Sequence, residues 1–125
     1  MRGMNKVFLT GVVGRDPEVR QTRGGGSWCT FSLATNRPKR DGDAWVEEVD
    51  WHEIKVFGAD AERCGRYLKK GSVASVQGEM HYERWTDDAG ARRTSARVVA
   101  DEVAFVSNLR ESSRSPVVAE EEVVA

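Results

Sequence analysis

The sequence predicts an all-β domain with one helix, and three observations indicate this fold class. Apolar and polar residues alternate in five separate stretches, and each stretch ends at glycine, proline or a run of charged residues. One stretch, directly after Gly58, has helical spacing instead. The chain of 125 residues is the size of a single domain. We therefore expect one core built from strands, with a single helix packed against it.

The first two strands are predicted in the N-terminal part of the chain. Residues 4–14 are rich in Val, Phe, Leu and Thr, and this stretch stops before Pro17, which has no backbone N–H to donate. The glycines at 24–26 predict a flexible hairpin tip. The second strand covers residues 27–36, and one of its faces carries Cys29, Phe31 and Leu33.

The third strand and the helix occupy the middle of the chain. Residues 36–44 are charged and contain a proline and a glycine, which predicts an exposed loop, and residues 47–57 form the third strand. Helical spacing then relates Ala61, Cys64 and Leu68. We expect a helix of about ten residues here, with Asp60 capping its start and Gly71 closing its end.

Two more strands follow the predicted helix. Residues 73–82 and 95–106 alternate again, with a turn at 86–90 between them. One face of the former carries Ala74, Val76, Met80 and Tyr82. Five strands with a helix between the third and the fourth are the arrangement of the OB fold, a five-stranded Greek-key barrel. Such a barrel binds oligonucleotides across an exposed face and its flanking loops.

Charge separates the predicted barrel from the C-terminal end. Residues 1–106 carry 17 basic and 16 acidic groups, whereas residues 107–125 carry 2 and 4. We expect an OB-fold domain over 1–106, followed by a short disordered acidic tail over 107–125. The bulk positive charge typical of nucleic-acid binders is absent, so such a function depends on where individual cations lie.

The sequence gives no support for several other classes of protein. It has neither an apolar run of membrane-spanning length nor a signal peptide, so we expect no membrane association and a cytoplasmic location. Cys29 and Cys64 lack the spacing of a zinc site or a disulfide framework and are interpreted as core residues. His52 and His81 have no ligand partner at suitable spacing, and no phosphate-binding loop is present. No enzyme activity, metal or cofactor is expected.

The third predicted strand carries the strongest functional signal. One of its faces holds Ile54 and Val56, and the other holds Trp51, Glu53, Lys55 and Phe57. A barrel interior would not tolerate the unpaired carboxylate and ammonium, so Trp51 and Phe57 are placed outside. Stacking of a base on an aromatic ring contributes about 1–3 kcal/mol and does not depend on sequence. This face therefore predicts nonspecific binding of single strands.

Further rings and cations extend this pattern. Trp85 follows Arg84 at the base of the last hairpin, and Trp28 and Trp45 are candidates for additional stacking. Basic clusters lie at strand ends and in loops: Arg15, Arg20 and Arg23; Arg37, Lys39 and Arg40; Lys69 and Lys70; Arg84, Arg92 and Arg93. Any one ring is more often a packing residue, and any one cluster is more often a solvated loop. Together they indicate a groove that neutralises phosphates.

A run of motifs resembles the bacterial single-stranded DNA-binding protein family. In chain order the motifs are Asn5-Lys6-Val7, Gly14-Arg15-Asp16-Pro17-Glu18-Val19-Arg20, Phe31-Ser32-Leu33-Ala34-Thr35, Asp50-Trp51-His52, Tyr67-Leu68-Lys69-Lys70-Gly71-Ser72, Gly78 and Trp85-Thr86-Asp87. The match covers residues 4–106, and a run of motifs in register is more specific than any one of them.

The resemblance implies a homotetramer of OB folds that protects and wraps single-stranded DNA in replication, recombination and repair, at the nucleoid. It marks Trp51, Phe57 and Trp85 as stacking residues, and it places His52 at a position associated with subunit assembly. It also points to Lys6, Arg20, Lys69, Lys70 and Arg84 as phosphate contacts. With the loop cations and the lysine of the third strand, the full predicted set is Lys6, Arg20, Arg37, Lys39, Arg40, Lys55, Lys69, Lys70 and Arg84.

Two departures from the family pattern leave alternatives open. Lys39 stands where the family often has another stacking tryptophan, for which Trp45 or Trp28 could substitute. The end Glu120-Glu121-Glu122-Val123-Val124-Ala125 lacks the Pro-Phe tip that recruits replication and repair proteins in the family. A specialised paralogue or a different partner is therefore considered. The main alternative function is a protein-interaction OB module of a replication or repair complex, whose aromatic face docks a protein.

Overall fold

The computed structural model describes residues 1–108 of the chain, with side chains described through residue 106. The elements in chain order are β1 (Val7–Val13), β2 (Glu18–Gln21), β3 (Ser27–Asp41), β4 (Ala44–Phe57), α1 (Ala59–Tyr67), β5 (Ser72–Thr86) and β6 (Arg92–Asn108). The five predicted strands correspond to β1, β3, β4, β5 and β6, and the short strand β2 is additional.

The strands close into a barrel. They hydrogen-bond in the order β1-β5-β6-β4-β3-β2, and the end of β1 also pairs with β3. At that closure Val13 lies opposite Leu33. β4 joins β6 in parallel, with Ile54 opposite Val98, and the other pairings are antiparallel. This topology confirms the predicted OB barrel with one helix, which lies between β4 and β5, the third and fourth of the five predicted strands.

Alternating residues of the barrel strands fill a single core. Phe31, Leu33 and Ile54 are fully buried, and α1 packs against this core through Ala61 and Cys64. Burial of an aliphatic or phenyl side chain stabilises a fold by roughly 1.5–3 kcal/mol. Cys29, Phe31 and Leu33, predicted to share one face of the second strand, all point into this core. The core keeps the barrel surface in a fixed shape.

The two cysteines belong to this core. Cys29 and Cys64 are free and fully buried. The hydrogen bond with Cys29, together with burial, raises the pKa of the Cys64 thiol. Because the thiolate is the reactive form of cysteine, this environment keeps Cys64 unreactive. The interpretation of both cysteines as core residues is confirmed.

Two hairpins extend beyond the barrel: the β3–β4 arm (residues 36–50) and the β5–β6 arm (residues 81–97). The prediction of a loop at residues 36–44 is wrong, because β3 continues to Asp41, β4 starts at Ala44, and the chain turns at Gly42 with a φ of 63°. Ion pairs across the arm hold the strands where apolar contacts are missing. β5 also extends past the barrel core, and Tyr82 in its extended part is exposed.

The ends of the helix differ from those expected. α1 begins directly after Gly58 without a side-chain cap, and Asp60 lies in its first turn, paired with an arginine of the same helix at 2.8 Å. The helix ends at Tyr67. Gly71 therefore does not close it, and instead donates its N–H to the carbonyl of Val13 at 2.8 Å. That bond ties the connection after α1 to the end of β1.

The short strand β2 and the end of β6 differ from the predicted boundaries. β2 pairs with β3 across the hairpin predicted at residues 24–26, and its Val19 lies against Gly65 of α1. All four residues of β2 are exposed, so the sequence had no alternating apolar pattern to indicate it. β6 continues to Asn108, and residues 109–125 of the predicted tail lie outside the described residues.

Candidate nucleic-acid interface

Aromatic side chains line the outward-facing positions of β3 and β4, called here the outer face. Trp51 and Phe57 are 62% and 51% exposed, whereas Ile54 and Val56 lie in the core. Successive side chains of a strand alternate between its two faces, so Trp51 and Phe57 project to the same side. The prediction that the rings of this strand lie outside the barrel is confirmed.

At one end of the outer face, three strands contribute a row of side chains. Arg20 of β2 lies opposite Trp28 of β3, and Trp28 lies opposite Phe57 of β4. The Lys55 ammonium is 4.5 Å from the centre of the Trp28 ring and 5.2 Å from that of Phe57. The Arg20 guanidinium is 5.7 Å from the Trp28 centre. These four side chains form the Trp28 cluster, in which Trp28 is partly buried.

The Trp51 ring packs against Gly14, the residue that directly follows β1. Trp51 lies opposite Ala34 of β3, and its ring reaches Gly14, where an added methyl group would overlap the ring. Gly14 is fixed in place because its N–H donates to the Ser32 carbonyl at 2.9 Å. The missing side chain at Gly14 therefore leaves room for the Trp51 ring at the barrel surface.

The β3–β4 arm extends the outer face away from the barrel. Arg40 and Trp45 lie directly opposite each other and have the same outward phase as Trp28 and Trp51. The Arg40 guanidinium is 5.4 Å from the centre of the Trp45 ring, which is 64% exposed. The sequence placed Trp45 at the end of a loop. The strand register places it in line with the other rings, as a further candidate for stacking.

Two predicted phosphate contacts lie on the other face of the same arm. Arg37 pairs with Asp50 at 2.7 Å and with Glu48 at 3.7 Å, and Lys39 pairs with Glu48 at 3.2 Å. Their positions on β3 have the inward phase, so they point away from the aromatic residues. Because carboxylates already neutralise them, they are weaker candidates for phosphate contact than Arg40.

The third predicted stacking residue lies on the β5–β6 arm. Trp85 is 49% exposed and lies opposite Arg93 of β6. The register relates this ring to β4 through β6. Lys55 of β4 lies opposite Val99 of β6, and Val99 lies opposite Glu79 of β5. Trp85 follows Glu79 by an even number of residues, so both have the same phase along β5. Trp85 and Lys55 therefore project to the same side of the sheet. A shallow groove beside the ring is lined by Arg84, Trp85, Thr86, Arg92, Arg93 and Thr94.

Asp87 fixes the turn at the end of this arm. Its carboxylate accepts hydrogen bonds from the N–H groups of Ala89 and Ala91 at 3.0 and 2.9 Å, and it pairs with Arg93 at 2.8 Å. The Arg93 hydrogen bond, with those from the backbone, holds the pKa of Asp87 below its ordinary value of 3.8. The ionised carboxylate thereby keeps Arg93 ordered beside Trp85.

Arg97 is a candidate that reasoning from the sequence missed. Its side chain lies on β6 with the phase of Val99, on the same side as the rings, and is 17% exposed. Its Nη1 is 3.5 Å from Glu83, and its buried Nε has no hydrogen-bond partner among the described residues. A single arginine in an alternating strand gives no local signal. Only the neighbours across the sheet reveal a partly buried cation on this side.

The remaining predicted cations come from separate parts of the chain. Lys6 precedes β1, and Lys69 and Lys70 lie between α1 and β5, all with exposed side chains. The Lys70 N–H donates to the Asp16 carboxylate at 2.8 Å, which links this connection to the loop after β1. Arg84 lies on the β5–β6 arm, and its guanidinium is 5.8 Å from the centre of the Tyr82 ring.

The two histidines give no indication of chemistry. His52 is partly buried, and its Nε2 lies 2.8 Å from the Thr35 hydroxyl. Its role at a subunit interface stays a prediction. His81 lies 3.6 Å from Glu79. Within residues 1–108, no group of three or more His, Cys, Asp or Glu side chains could hold a metal ion. The described part of the chain also has no helix with the length and apolar character of a membrane span.

Comparison with known proteins identifies relatives along most of the chain. Residues 4–106 match the single-strand binding protein family. The single-stranded DNA-binding protein of Xylella fastidiosa is 41% identical over 106 residues, which are 84% of this chain and 65% of that protein. The single-stranded DNA-binding protein of Treponema pallidum is 37% identical over 109 residues, which are 87% of this chain and 61% of that protein. The chain thus spans less than two thirds of either curated relative.

A solved structure shares the fold. The Plasmodium falciparum SSB in complex with ssDNA matches this chain with a TM-score of 0.78 and 29% sequence identity. The match covers 86% of this chain and 98% of that one. The similarity therefore extends over the barrel that carries the outer face.

Proposed function

The chain belongs to the single-strand binding protein family, and on this basis we propose that it binds single-stranded DNA without sequence preference. The observation that carries the proposal is the outer face, where Trp51 and Phe57 are open to solvent and Lys55 lies beside Phe57. Trp85 lies on the same side of the sheet. These rings and cations are matched to the two constant features of a single strand, its base planes and its phosphates.

The proposed mechanism is reversible binding without a chemical step. Bases stack on the rings of the outer face, and each stack contributes about 1–3 kcal/mol because any base offers a flat π surface. Lys and Arg side chains contact phosphates and displace the counterions around them. Neither interaction reads the edge of a base, so sequence preference is weak. The role we assign is to cover and protect single strands during replication, recombination and repair, at the nucleoid of the cytoplasm.

A titration with poly-dT at several salt concentrations tests this proposal. Binding should quench tryptophan fluorescence, because the stacking rings are themselves the fluorophores. The logarithm of the affinity should fall linearly with the logarithm of salt concentration, at about 0.7 per phosphate neutralised. Absence of quenching and of binding at low salt would rule the proposal out.

The competing function is a protein-interaction OB module, in which the outer face docks another protein. The same titration separates the two functions, since an interface formed mainly by apolar rings has little dependence on salt. Ion-paired Arg37 and Lys39 lower the number of free cations on the arm, but Lys55 and Arg40 remain on the aromatic side. The steep slope expected for DNA is therefore retained.

We also propose that the protein forms a homo-oligomer, namely a tetramer. Among the described residues, the start of β1 pairs with β5 on one side only, and Phe8 of this strand is exposed. Phe8, Thr10 and Ser75 line a groove on this side, in which the Thr10 and Ser75 hydroxyls are 2.7 Å apart. An unpaired strand edge beside an exposed ring favours association with another copy. Light scattering that shows a monomer at micromolar concentration would contradict this.

A further inference from the structure

The Trp28 cluster contains a ring that is covered by cations. Trp28 is partly buried, in contrast to Trp51 and Phe57, which are open to solvent. The Lys55 ammonium and the Arg20 guanidinium lie 4.5 and 5.7 Å from the centre of its ring. A base stacks only on a ring with a free face. Phe57 has one cation near it and is 51% exposed, whereas Trp28 has two cations near it and is partly buried. Trp28 is therefore placed to hold cations rather than a base.

A cation that contacts a carboxylate has much of its charge cancelled, whereas a cation that contacts an aromatic ring does not. Arg37 and Lys39 are paired with carboxylates, which cancel much of their charge. Lys55 forms no ion pair within residues 1–108, and its side chain lies over the rings of Trp28 and Phe57 instead. A ring attracts an ammonium through its quadrupole but carries no net charge. Lys55 is thus ordered and keeps its full charge for an anionic ligand.

Arg20 belongs to the same arrangement. It lies opposite Trp28, and it also pairs with Glu18 at 3.2 Å, with both side chains 60% exposed. The carboxylates that pair with Arg37 and Lys39 are only 37% exposed, so the more exposed Glu18 shields its partner less and a phosphate can replace it more readily. Phe57 lies opposite Trp28 on the other side, and Lys55 lies over both rings, so the Trp28 cluster joins one open ring to two cations across three adjacent strands.

We infer that Trp28 is a positioning residue of a phosphate-binding subsite. It orders Lys55 and Arg20 so that they meet the phosphate of the nucleotide whose base stacks on Phe57, and it does not itself stack a base. This inference rests on the proposed function and deepens it. It assigns Phe57 to the bases and Trp28, through its two cations, to the backbone.

An abasic oligodeoxynucleotide separates the two roles, because it keeps the phosphates and lacks the bases. Trp28→Leu should weaken binding of oligo-dT and of the abasic strand by the same factor, about two- to fivefold at low salt. It should also lower the salt slope on both strands. Trp51→Leu is the matched control and should weaken binding of oligo-dT only. A loss with Trp28→Leu that is confined to oligo-dT, or no loss at all, overturns the inference.

Two further variants separate positioning from folding. Trp28→Phe keeps a ring under the cations and should recover most of the affinity for both strands. In a Lys55→Gln background, Trp28→Leu should lose most of its effect, because it acts largely through that lysine. Failure of the phenylalanine to recover affinity in a variant that melts like wild type, or an undiminished effect in the Lys55→Gln background, would count against the subsite. Failure of the wild-type protein to bind oligo-dT would instead defeat the proposed function.

Discussion

Trp51 and Phe57 are large apolar side chains that remain in solvent while their neighbours along β4, Ile54 and Val56, fill the core. Burial of an aliphatic or phenyl side chain would stabilise the fold by roughly 1.5–3 kcal/mol, so exposed rings are more readily explained by a ligand than by stability. Because strand residues alternate, one strand supplies both the core and the candidate binding surface.

Replacing either exposed ring of β4 should weaken binding while the fold remains. We expect Trp51→Ala and Phe57→Ala each to reduce affinity for oligo-dT by about 1–3 kcal/mol, because each removes one stacking surface. Fluorescence anisotropy of a labelled oligo-dT measures this. Tyr67→Ala is the control, since Tyr67 is an exposed ring on α1 and not on the strands β3 and β4 that form the outer face. Unchanged affinity in both β4 variants would refute the assignment of these rings.

Gly14→Ala should act on Trp51 without touching its chemistry. The added methyl group would overlap the Trp51 ring, so the ring must move from its place against the barrel. We expect a loss of oligo-dT affinity of at most about 1–3 kcal/mol, the value of one stack. Gly24→Ala is the matched control, because its methyl group would meet no atom within 4 Å. Equal behaviour of the two variants would show that Gly14 does not position the ring.

At the scale of elements, the two arms are ribbons of two strands that extend past the core. Such ribbons have little apolar burial of their own and depend on pairs between the strands and on their turns. In the β3–β4 arm the two faces differ, because Arg37 and Lys39 meet carboxylates on one face while Arg40 meets Trp45 on the other. The arm therefore has one face that is structural and one that can bind a ligand.

This difference predicts unequal effects of neighbouring cations on DNA binding. Arg40→Ala should lower the salt slope of poly-dT binding by about 0.7, the value for one phosphate contact on a single strand. Lys39→Ala should change the slope less, because Glu48 already neutralises Lys39. Salt-dependent titration of both variants provides the measurement. A slope that falls as much for Lys39→Ala as for Arg40→Ala would contradict the assignment of the two faces.

The β5–β6 arm should be sensitive to acid through Asp87. The pKa of Asp87 is lowered in the folded protein, so its carboxylate adds stability that is fully present above its ordinary value of 3.8 and is lost as the pH falls through the lower folded value. Asp87→Asn lacks this charge. The melting temperature of wild type should exceed that of Asp87→Asn at neutral pH, and the difference should shrink below pH 3.8. A constant difference would show that the charge of Asp87 is not involved.

At the scale of the whole molecule, close backbone contacts allow the barrel to close. At Gly11 an added Cβ would overlap the carbonyl of Ala34, and at Gly78 it would overlap the carbonyl of Val99. These contacts lie where β1 meets β3 and where β5 meets β6. A closed barrel around a filled core holds β3 and β4, which carry the outer face, in one register. The rings therefore need no rearrangement of the barrel to meet the proposed single-stranded DNA.

The core should therefore control stability separately from binding. Phe31 is fully buried in the centre of the barrel. Phe31→Ala should lower the free energy of unfolding by about 3–5 kcal/mol, because it removes buried surface and leaves a cavity. Urea denaturation followed by circular dichroism measures the change. A cost near that of Tyr67→Ala, at an exposed site, would contradict the central position of Phe31.

The sequence by itself determined the features that depend on local spacing. Alternation along β4 separated Ile54 and Val56 from Trp51 and Phe57, and helical spacing identified α1 even though its ends were misplaced. Both patterns repeat over a few residues, because the strand and helix periods are properties of the backbone. The order of strands and helix was then sufficient to indicate the barrel.

The tertiary structure alone decided which side chains meet across strands. The register of β2, β3 and β4 brings Arg20, Trp28 and Phe57 into one row, and it turns the segment 36–44 from an expected loop into an arm with two different faces. It also revealed Arg97, a partly buried cation beside Glu83 on the same side of the sheet. These contacts join residues far apart in the chain, and register is set by the packing of the whole barrel, so no local pattern encodes them.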